Sequence, residues 1–420
     1  MTARVVIAGG GPAASAAALR LCALGIQPLL LLGKGRTPRG TEAISEAAMP
    51  LLAKAGLADA AQRAGGVLRE GFEVNWGQQR SVRRGRWLCL DRAAFAQAAL
   101  DAAQQHGTEF RTVAALPGLR QIDGGVSLSI DGSEVIFDAA IDATGRSAVW
   151  SRPAARLGNS VADLFVAPAG PGCRPMVAEL DSRSWYYQMT SGSELTIGIV
   201  HDGGRQWRAR DLAGVWRCDS DSLRYIGRRP AFPQWTLQPI CWRRIAVGDA
   251  LLAHSPIAGN GVHFALSAAG LAAEVAASWI RPAPERDKAA EFYSDMAHSA
   301  RTRHLTAFNR LHSHTDGRPK IRKGERYAFS APVAMHPLRV DGSYRSGECI
   351  QLSDGTSVRW FGGIDLLQLR AMAADQPGFG VLVKRCSALG ITPSDAATVI
   401  GWCVAHEVLT KTQSDIGASA

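Results

Sequence analysis

Three small residues with fixed spacing, Gly9-x-Gly11-x-x-Ala14, stand directly behind the apolar run RVVIA and ahead of the Ala-rich run ASAAALRLCALG. That pattern suits a diphosphate. Gly9 permits a tight turn, Gly11 lets backbone N–H groups approach the phosphates, and Ala14 lets a helix lie close on a strand. Pro12 and Ala13 then open the helix, whose unpaired N–H groups and dipole favour an anion.

A second constellation stands more than two hundred residues on. Val247-Gly248-Asp249-Ala250 is followed by Pro256-x-x-Gly259-x-Gly261-Val262 and a long apolar helix. A carboxylate at a strand end accepts a hydrogen bond from a ribityl hydroxyl. Gly259 and Gly261 bring backbone donors to the polar edge of a flavin ring, and the helix N-terminus favours negative charge there. Taken alone, Gly-Asp-Ala reads equally as a turn. Its pairing with the N-terminal fingerprint favours a flavin dinucleotide. His254 and His263 bracket this loop, and either could move a proton or simply position the loop.

The elements that must hold these residues are legible in outline. Residues 4–8 and 28–32 read as buried strands around one helix that stops at Gly25, giving a βαβ unit. Residues 41–57 read as helix, with Pro50 starting a new segment or kinking the old one. A strand at 87 passes into a helix capped by Asp91. A strand follows over TEFRTVAAL, and a hairpin turns at Asp131-Gly132 and runs on into the loop DATGRS. Residues 150–240 alternate short strands with a helix near 205–217. Trp185, Tyr186 and Tyr187 lie on one such strand, so Trp185 and Tyr187 share a face that either lines an aromatic pocket or packs a core. Strand, loop and long helix return over 243–280, and a charged helix runs to about 313. A basic linker is expected at 314–326, and hairpins with two helices follow it.

The composition is that of a globular chain, 46% hydrophobic and 20% charged over 420 residues. The formal charge of +10 is carried mostly by Arg, bunched in SVRRGR (81–86), RRP (228–230) and RPKIRKGER (318–326). This surface is either solvated or offered to an acidic macromolecule. No nucleic-acid-binding motif accompanies it, so nucleic acid is disfavoured. Eight Cys are spread singly, without C-x-x-C, as in the reduced thiols of a cytoplasmic protein. No leader pattern opens the chain and no apolar run is expected to span a bilayer. His312-x-His314 lacks a third ligand, so no metal is expected.

The motifs GGGPAA (9–14), LDRAAF (90–95), DATGRSA (142–148) and VGDALLAHSPIAGNGVHFAL (247–266) resemble those of flavoprotein monooxygenases of the aromatic-hydroxylase and tryptophan-halogenase type, over about residues 1–310. The resemblance implies an α/β chain: a Rossmann-like FAD-binding domain (1–155 and 241–313), an inserted β-sheet substrate domain (156–240), and a small α+β, winged-helix-like C-terminal domain (327–420). It implies FAD, with Arg92 near the pyrophosphate, Asp249 on the ribityl chain and Gly259 to Val262 beside the ring. It implies O₂ as co-substrate, with NAD(P)H or an external reduced flavin as reductant, and hydroxylation through a flavin C4a-hydroperoxide. The WYYQM segment (185–189) is similar to that of a subgroup that hydroxylates a Trp inside a partner polypeptide during tryptophylquinone maturation. A protein or peptide substrate, presented with other maturation proteins, is therefore the expected partner. The alternatives are a small-molecule aromatic hydroxylase or halogenase, and a flavin reductase that inserts no oxygen. Halogenation is disfavoured because Lys34 and Lys54 are the Lys residues before 288, and the G-W-x-W-x-I-P signature is missing.

One position departs from this pattern. In PLLLLGKGR (28–36), Gly33 stands where such flavoproteins carry the Glu that holds the adenosine ribose. Backbone groups at 33–35, or the cations Lys34 and Arg36, must then stand by the adenosine half.

Overall fold

In a computed structural model, residues 4–34, 39–76, 79–152, 154–170, 173–181, 184–204, 206–208, 211, 222–256, 259–281, 286–312, 325–353, 355–361 and 363–412 are described. Arg36, His314, most of the helix expected at 205–217 and nearly all of the basic linker lie outside them. The chain divides into two compact units, Met1–Arg286 and Asp287–Ala420. The charged helix Arg286–His312 thus falls almost wholly in the second unit.

The first unit is built on β1 (Val5–Ala8), α1 (Pro12–Ala23) and β2 (Pro28–Gly33). Every residue of β1 is fully buried, as expected of a strand covered on both faces. β1 pairs in parallel with β2 and with Ala139–Asp142. The six-stranded sheet continues to β6 (Glu109–Val113) on one side and to Arg244–Ala246 and Ile240–Cys241 on the other. Residues more than a hundred apart in sequence therefore meet in one sheet, with the Gly248–Ala250 turn at the end of Arg244–Ala246.

The expected helix at 41–57 is corrected. Thr41–Ser45 is a strand, β3, and the α-helix starts at Met49–Lys54 (α2), with Pro50 in its first turn. The Glu- and Ala-rich composition favours helix locally, but antiparallel pairing of β3 with residues 87–91 of β5 (Gln79–Asp91) prevails. β5 also pairs with β4 (Val67–Trp76). These strands join five strands from between 161 and 230 in an eight-stranded sheet, so this sheet draws on residues 41–91 as well as the expected insertion. Thr41 fastens β3 to the neighbouring face: its N–H donates to Thr196 Oγ1 at 2.9 Å, and the two hydroxyls lie 3.1 Å apart. The hairpin at 125–137 turns at Asp131-Gly132 with both φ positive, but Ala139–Asp142 is a separate strand of the other sheet.

Asp91 caps α4 (Arg92–Gln105), its carboxylate accepting from Ala94 N–H at 2.7 Å. The long helix α5 (Gly261–Ile280) packs on α1, joined by Arg20–Glu274 at 2.8 Å. Contrary to expectation, α5 is long and apolar enough to cross a membrane. Its apolar side is instead core, with Ala268, Ala269, Ala272, Ala273, Val275 and Ala276 fully buried. The seven described cysteines are free thiols.

The second unit has its own core, with Tyr327, Ile350, Leu366, Leu382, Ile400 and Leu409 at its centre. Paired strands Val333–Val340 and Ser343–Gln351, and helices Leu366–Met372, Phe379–Ser387 and Pro393–Ala405, surround it.

Candidate active site

Gly9 takes φ +123°, and a Cβ there would lie 2.2 Å from the Ala143 carbonyl oxygen. Only glycine lets the end of β1 pass so close to the neighbouring strand end. Its N–H is already used by Leu31 O at 3.0 Å. Gly11 is the N-cap of α1, faces open space where its Cβ would be, and places no side chain over the helix start. With Pro12 in the first turn and the Ala14 and Ser15 N–H groups donating to Gly11 O at 2.9 and 3.2 Å, the start of α1 offers its helix dipole to a phosphate with no side chain in the way. Ala13 and Ala14 are buried, and a Cβ at Gly248, which has φ +56°, would approach Ala13 Cβ to 2.9 Å. The two glycine-rich motifs therefore meet through side chains small enough to let them touch.

Asp249 stands beside this contact, enclosed by protein yet 45% exposed, as a carboxylate on the wall of an open cleft would be. Desolvation lifts its carboxyl above the usual range, while Arg146 and Arg92 oppose the shift. Arg146 Nε lies 3.7 Å from Asp249 Oδ2, and its other nitrogens donate to Phe232 O at 2.7 Å and His254 O at 2.9 Å. Arg92, at the start of α4, is held by Glu42 of β3, with Nε donating to Oε2 at 2.7 Å. The Glu42 charge raises the Arg92 guanidinium above its ordinary range, with smaller contributions from Tyr187 and Asp249. Arg92, Asp249 and Tyr187 are thus within electrostatic reach of one another.

α5 begins like α1. Its N-cap, Asn260, makes no side-chain hydrogen bond to the helix, Gly259 has φ +61°, and a Cβ at Gly261 would meet open space. The ring of Trp87 lies against Gly259, 3.8 Å from where its Cβ would be. Trp87 Nε1–H is buried and has no acceptor among the described residues. Two uncapped helix starts, an open carboxylate and an orphaned indole N–H fit a polar ring system with an attached diphosphate. In this fit Gly9, Gly11, Pro12, Ala13 and Ala14 would line the phosphates, with Arg92 near them. Asp249 would take the sugar-like chain, while Pro256, Gly259, Gly261 and Val262 would flank the ring.

The sheet face beside this loop is aromatic. Phe72 and Trp87 are 5.4 Å apart between ring centroids, Trp76 and Trp185 6.3 Å, and Trp185 and Tyr187 6.0 Å. Trp185 and Tyr187 do share a face: Trp185 is buried in a core cluster, and Tyr187 packs half-buried at its side. A Cβ at Gly198 would fall 2.1 Å from Tyr187 Cζ, so the phenol ring lies flat across a strand that only glycine leaves clear. His254 gives its carbonyl to Arg146 and sets its ring edge-on to Phe264 at 5.1 Å. Burial lowers His263 and keeps its imidazole neutral. Lys34 and Gly33 are exposed at the end of β2, and Lys34 N–H donates to Val113 O at 3.2 Å.

Glu42, Arg146, Trp87, Phe72 and Trp76 join the site although none was expected there from the sequence. Arg146 lay within the quoted DATGRSA stretch and needed only its partner Asp249. Glu42 was hidden by the helical reading of 41–57.

No family profile matches the chain, and no curated protein matches it by sequence. Solved structures do. One is "Peptidyl tryptophan dihydroxylase QhpG essential for tryptophylquinone cofactor biogenesis", at TM-score 0.66 and 21% identity over 97% of this chain and 99% of that one. The flavin-dependent halogenase CmlS matches at TM-score 0.69 and 17% identity over 97% and 95%. PqsL of Pseudomonas aeruginosa, a probable FAD-dependent monooxygenase, matches at TM-score 0.61 and 16% identity over 74% and 95%. The chain has the fold of the flavin-dependent monooxygenases and halogenases. This agrees with the architecture read from the motifs.

Proposed function

We propose that the chain is an FAD-dependent monooxygenase that hydroxylates an aromatic ring, and that its substrate is a tryptophan side chain carried on a protein or peptide during quinone cofactor biogenesis. The aromatic wall beside the Gly259–Gly261 loop carries this reading. It offers an indole flat and edge contacts of the kind aromatic rings prefer, next to the open carboxylate and uncapped helix starts that suit FAD. Full-length similarity to a peptidyl tryptophan dihydroxylase, second unit included, supports the peptide substrate.

Reduced FAD, when bound, supplies the activation of O₂. The protein's work is to hold and to shield. α1 and Arg92 would fix the diphosphate, Asp249 would accept from the ribityl chain, and the start of α5 would hold the ring. Trp87, Phe72 and Tyr187 exclude water and orient the substrate ring, where correct placement alone lowers the barrier substantially. His263, kept neutral, is able to take up a proton released as the aromatic ring is restored.

Halogenation is the rival that similarity to CmlS favours. Lys54, the helical candidate for steering an oxidised halide, stands exposed at the end of α2. The two readings separate in one assay. Protein with FAD and a reductant is given a Trp-containing peptide, free indole, or either with bromide, and the products are weighed. The expected product is peptide heavier by oxygen, with or without bromide. A brominated product, or turnover of free indole alone, would contradict the reading.

A further inference from the structure

We propose that the free edge of β5, residues 79–86, docks an extended acidic segment of the polypeptide that the site oxidises; the inference rests on the peptide reading above. β5 is thirteen residues long, but β3 pairs only with its last part, Thr41 opposite Asp91 through Ser45 opposite Trp87. Over 79–86 one side of β5 is taken by β4, and no strand among the described residues takes the other. A row of backbone donors and acceptors is therefore presented there, the template on which a peptide adds as a further strand.

The charge of this edge selects its occupant. The segment QRSVRRGR holds four Arg and no acid. In the register with β4, Arg80 faces Asn75 and Arg83 faces Phe72, while Arg84 falls in the bulge beside Gly85. Asn75 and Phe72 are both uncharged, so the register sets no carboxylate directly opposite Arg80 or Arg83. Arg86 faces Glu70. Val82, 59% exposed, gives the strip an apolar contact. A second copy of the chain pairing along this edge would set Arg against Arg, which disfavours self-association.

The structure already displays the recognition in miniature. Glu46, just past the end of β3, accepts from the Arg86 backbone N–H at 3.2 Å and from Arg86 Nε at 2.8 Å. One carboxylate thus reads both the edge amide and the guanidinium. An acidic peptide would repeat these contacts along 80–84. It would have to leave the edge at Glu46, where β3 ends and its pairing with β5 takes over, and the next residue of β5 is Trp87, the ring lying against Gly259. The docking strand therefore leads to the aromatic wall.

The test uses the full-length protein and a fluorescein-labelled peptide of alternating Glu and Ser around one Trp, with a Lys-for-Glu peptide as control. Anisotropy should show binding of the acidic peptide that weakens steeply as salt rises. Hydrogen exchange should show new amide protection over 79–86. Arg80→Glu/Arg83→Glu/Arg84→Glu should lower affinity about tenfold or more, with FAD content and peptide-free O₂ consumption unchanged. If the triple variant folds poorly, Arg80→Glu alone and the wild-type exchange pattern decide. Protection elsewhere, equal binding of the Lys peptide, unchanged affinity in the variants, or protection of 79–86 by duplex DNA rather than peptide would overturn the proposal. Docking without oxygen insertion would refute the proposed function and leave the docking strand standing; insertion without docking would do the reverse.

Discussion

Gly33 ends β2 without a positive φ, and a Cβ there would make ordinary contact with Leu116 Cγ at 3.4 Å. The backbone would accept a Glu, so the missing ribose acid is a feature of this sequence rather than a demand of the fold. A charge-assisted hydrogen bond is worth about 1.5–3 kcal/mol, which corresponds to roughly ten- to a hundredfold in affinity. Purified protein is therefore expected to lose FAD on extensive dialysis, and Gly33→Glu to retain it, as measured by flavin absorbance per chain; full occupancy of the unmodified protein after dialysis would refute this. His263 gives a second prediction at this scale. Burial depresses its folded pKa below the ordinary imidazole value of about 6.5. The unfolded chain therefore binds the proton more readily, and the stability that neutral His263 contributes is present above that value. It is lost as pH falls through the ordinary value toward the depressed one. Thermal melting should show this loss in the wild type and a smaller one in His263→Gln; identical pH profiles would count against it.

Strands and helices were legible where their signal is local. The Gly9–Ala14 turn, the Asp91 cap, the Asp131-Gly132 hairpin and the glycines before α5 all carry their chemistry within a few residues. β3 was not legible, because its stability comes from pairing with 87–91 and from Thr196, far along the chain. The Glu42–Arg92 pair went unseen for the same reason. Arg146 needed Asp249, and Trp87 needed Gly259, before either had a role. Pairing across the large sheet also explains two buried features with testable weight. Asp163 is fully buried, and desolvation works against its charge. Hydrogen bonds from Arg228 at 2.8 Å, the Trp207 amide at 3.1 Å and His201 at 3.0 Å outweigh this and hold its carboxyl below the usual range. Asp163→Ala removes the shared acceptor of three segments and is expected to cost about 3–5 kcal/mol in denaturant unfolding; a loss below about 1 kcal/mol would show the cluster to be peripheral. Gly198→Val would drive a side chain into the Tyr187 ring. It should destabilise by about 1–3 kcal/mol and lower turnover of the aromatic substrate more than it lowers FAD content.

At the scale of the whole molecule, two cofactor motifs separated by more than two hundred residues converge because parallel pairing of β1, Ala139–Asp142 and Arg244–Ala246 aligns their ends. The eight-stranded sheet then sets an aromatic face beside the second motif, and its basic edge runs toward that face. In the proposed function, binding, shielding and substrate capture would be divided among the parts of one unit. The second unit has an independent core and extends the fold similarity to nearly the full chain. The source of the oxygen in the product tests the proposed hydroxylation most directly. Protein loaded with FAD and reductant is incubated with a Trp-containing acidic peptide under ¹⁸O₂, and the peptide is sequenced by mass spectrometry. Heavy oxygen is expected on the indole of the Trp residue. An unlabelled peptide, with the flavin reoxidised and O₂ consumed, would contradict it.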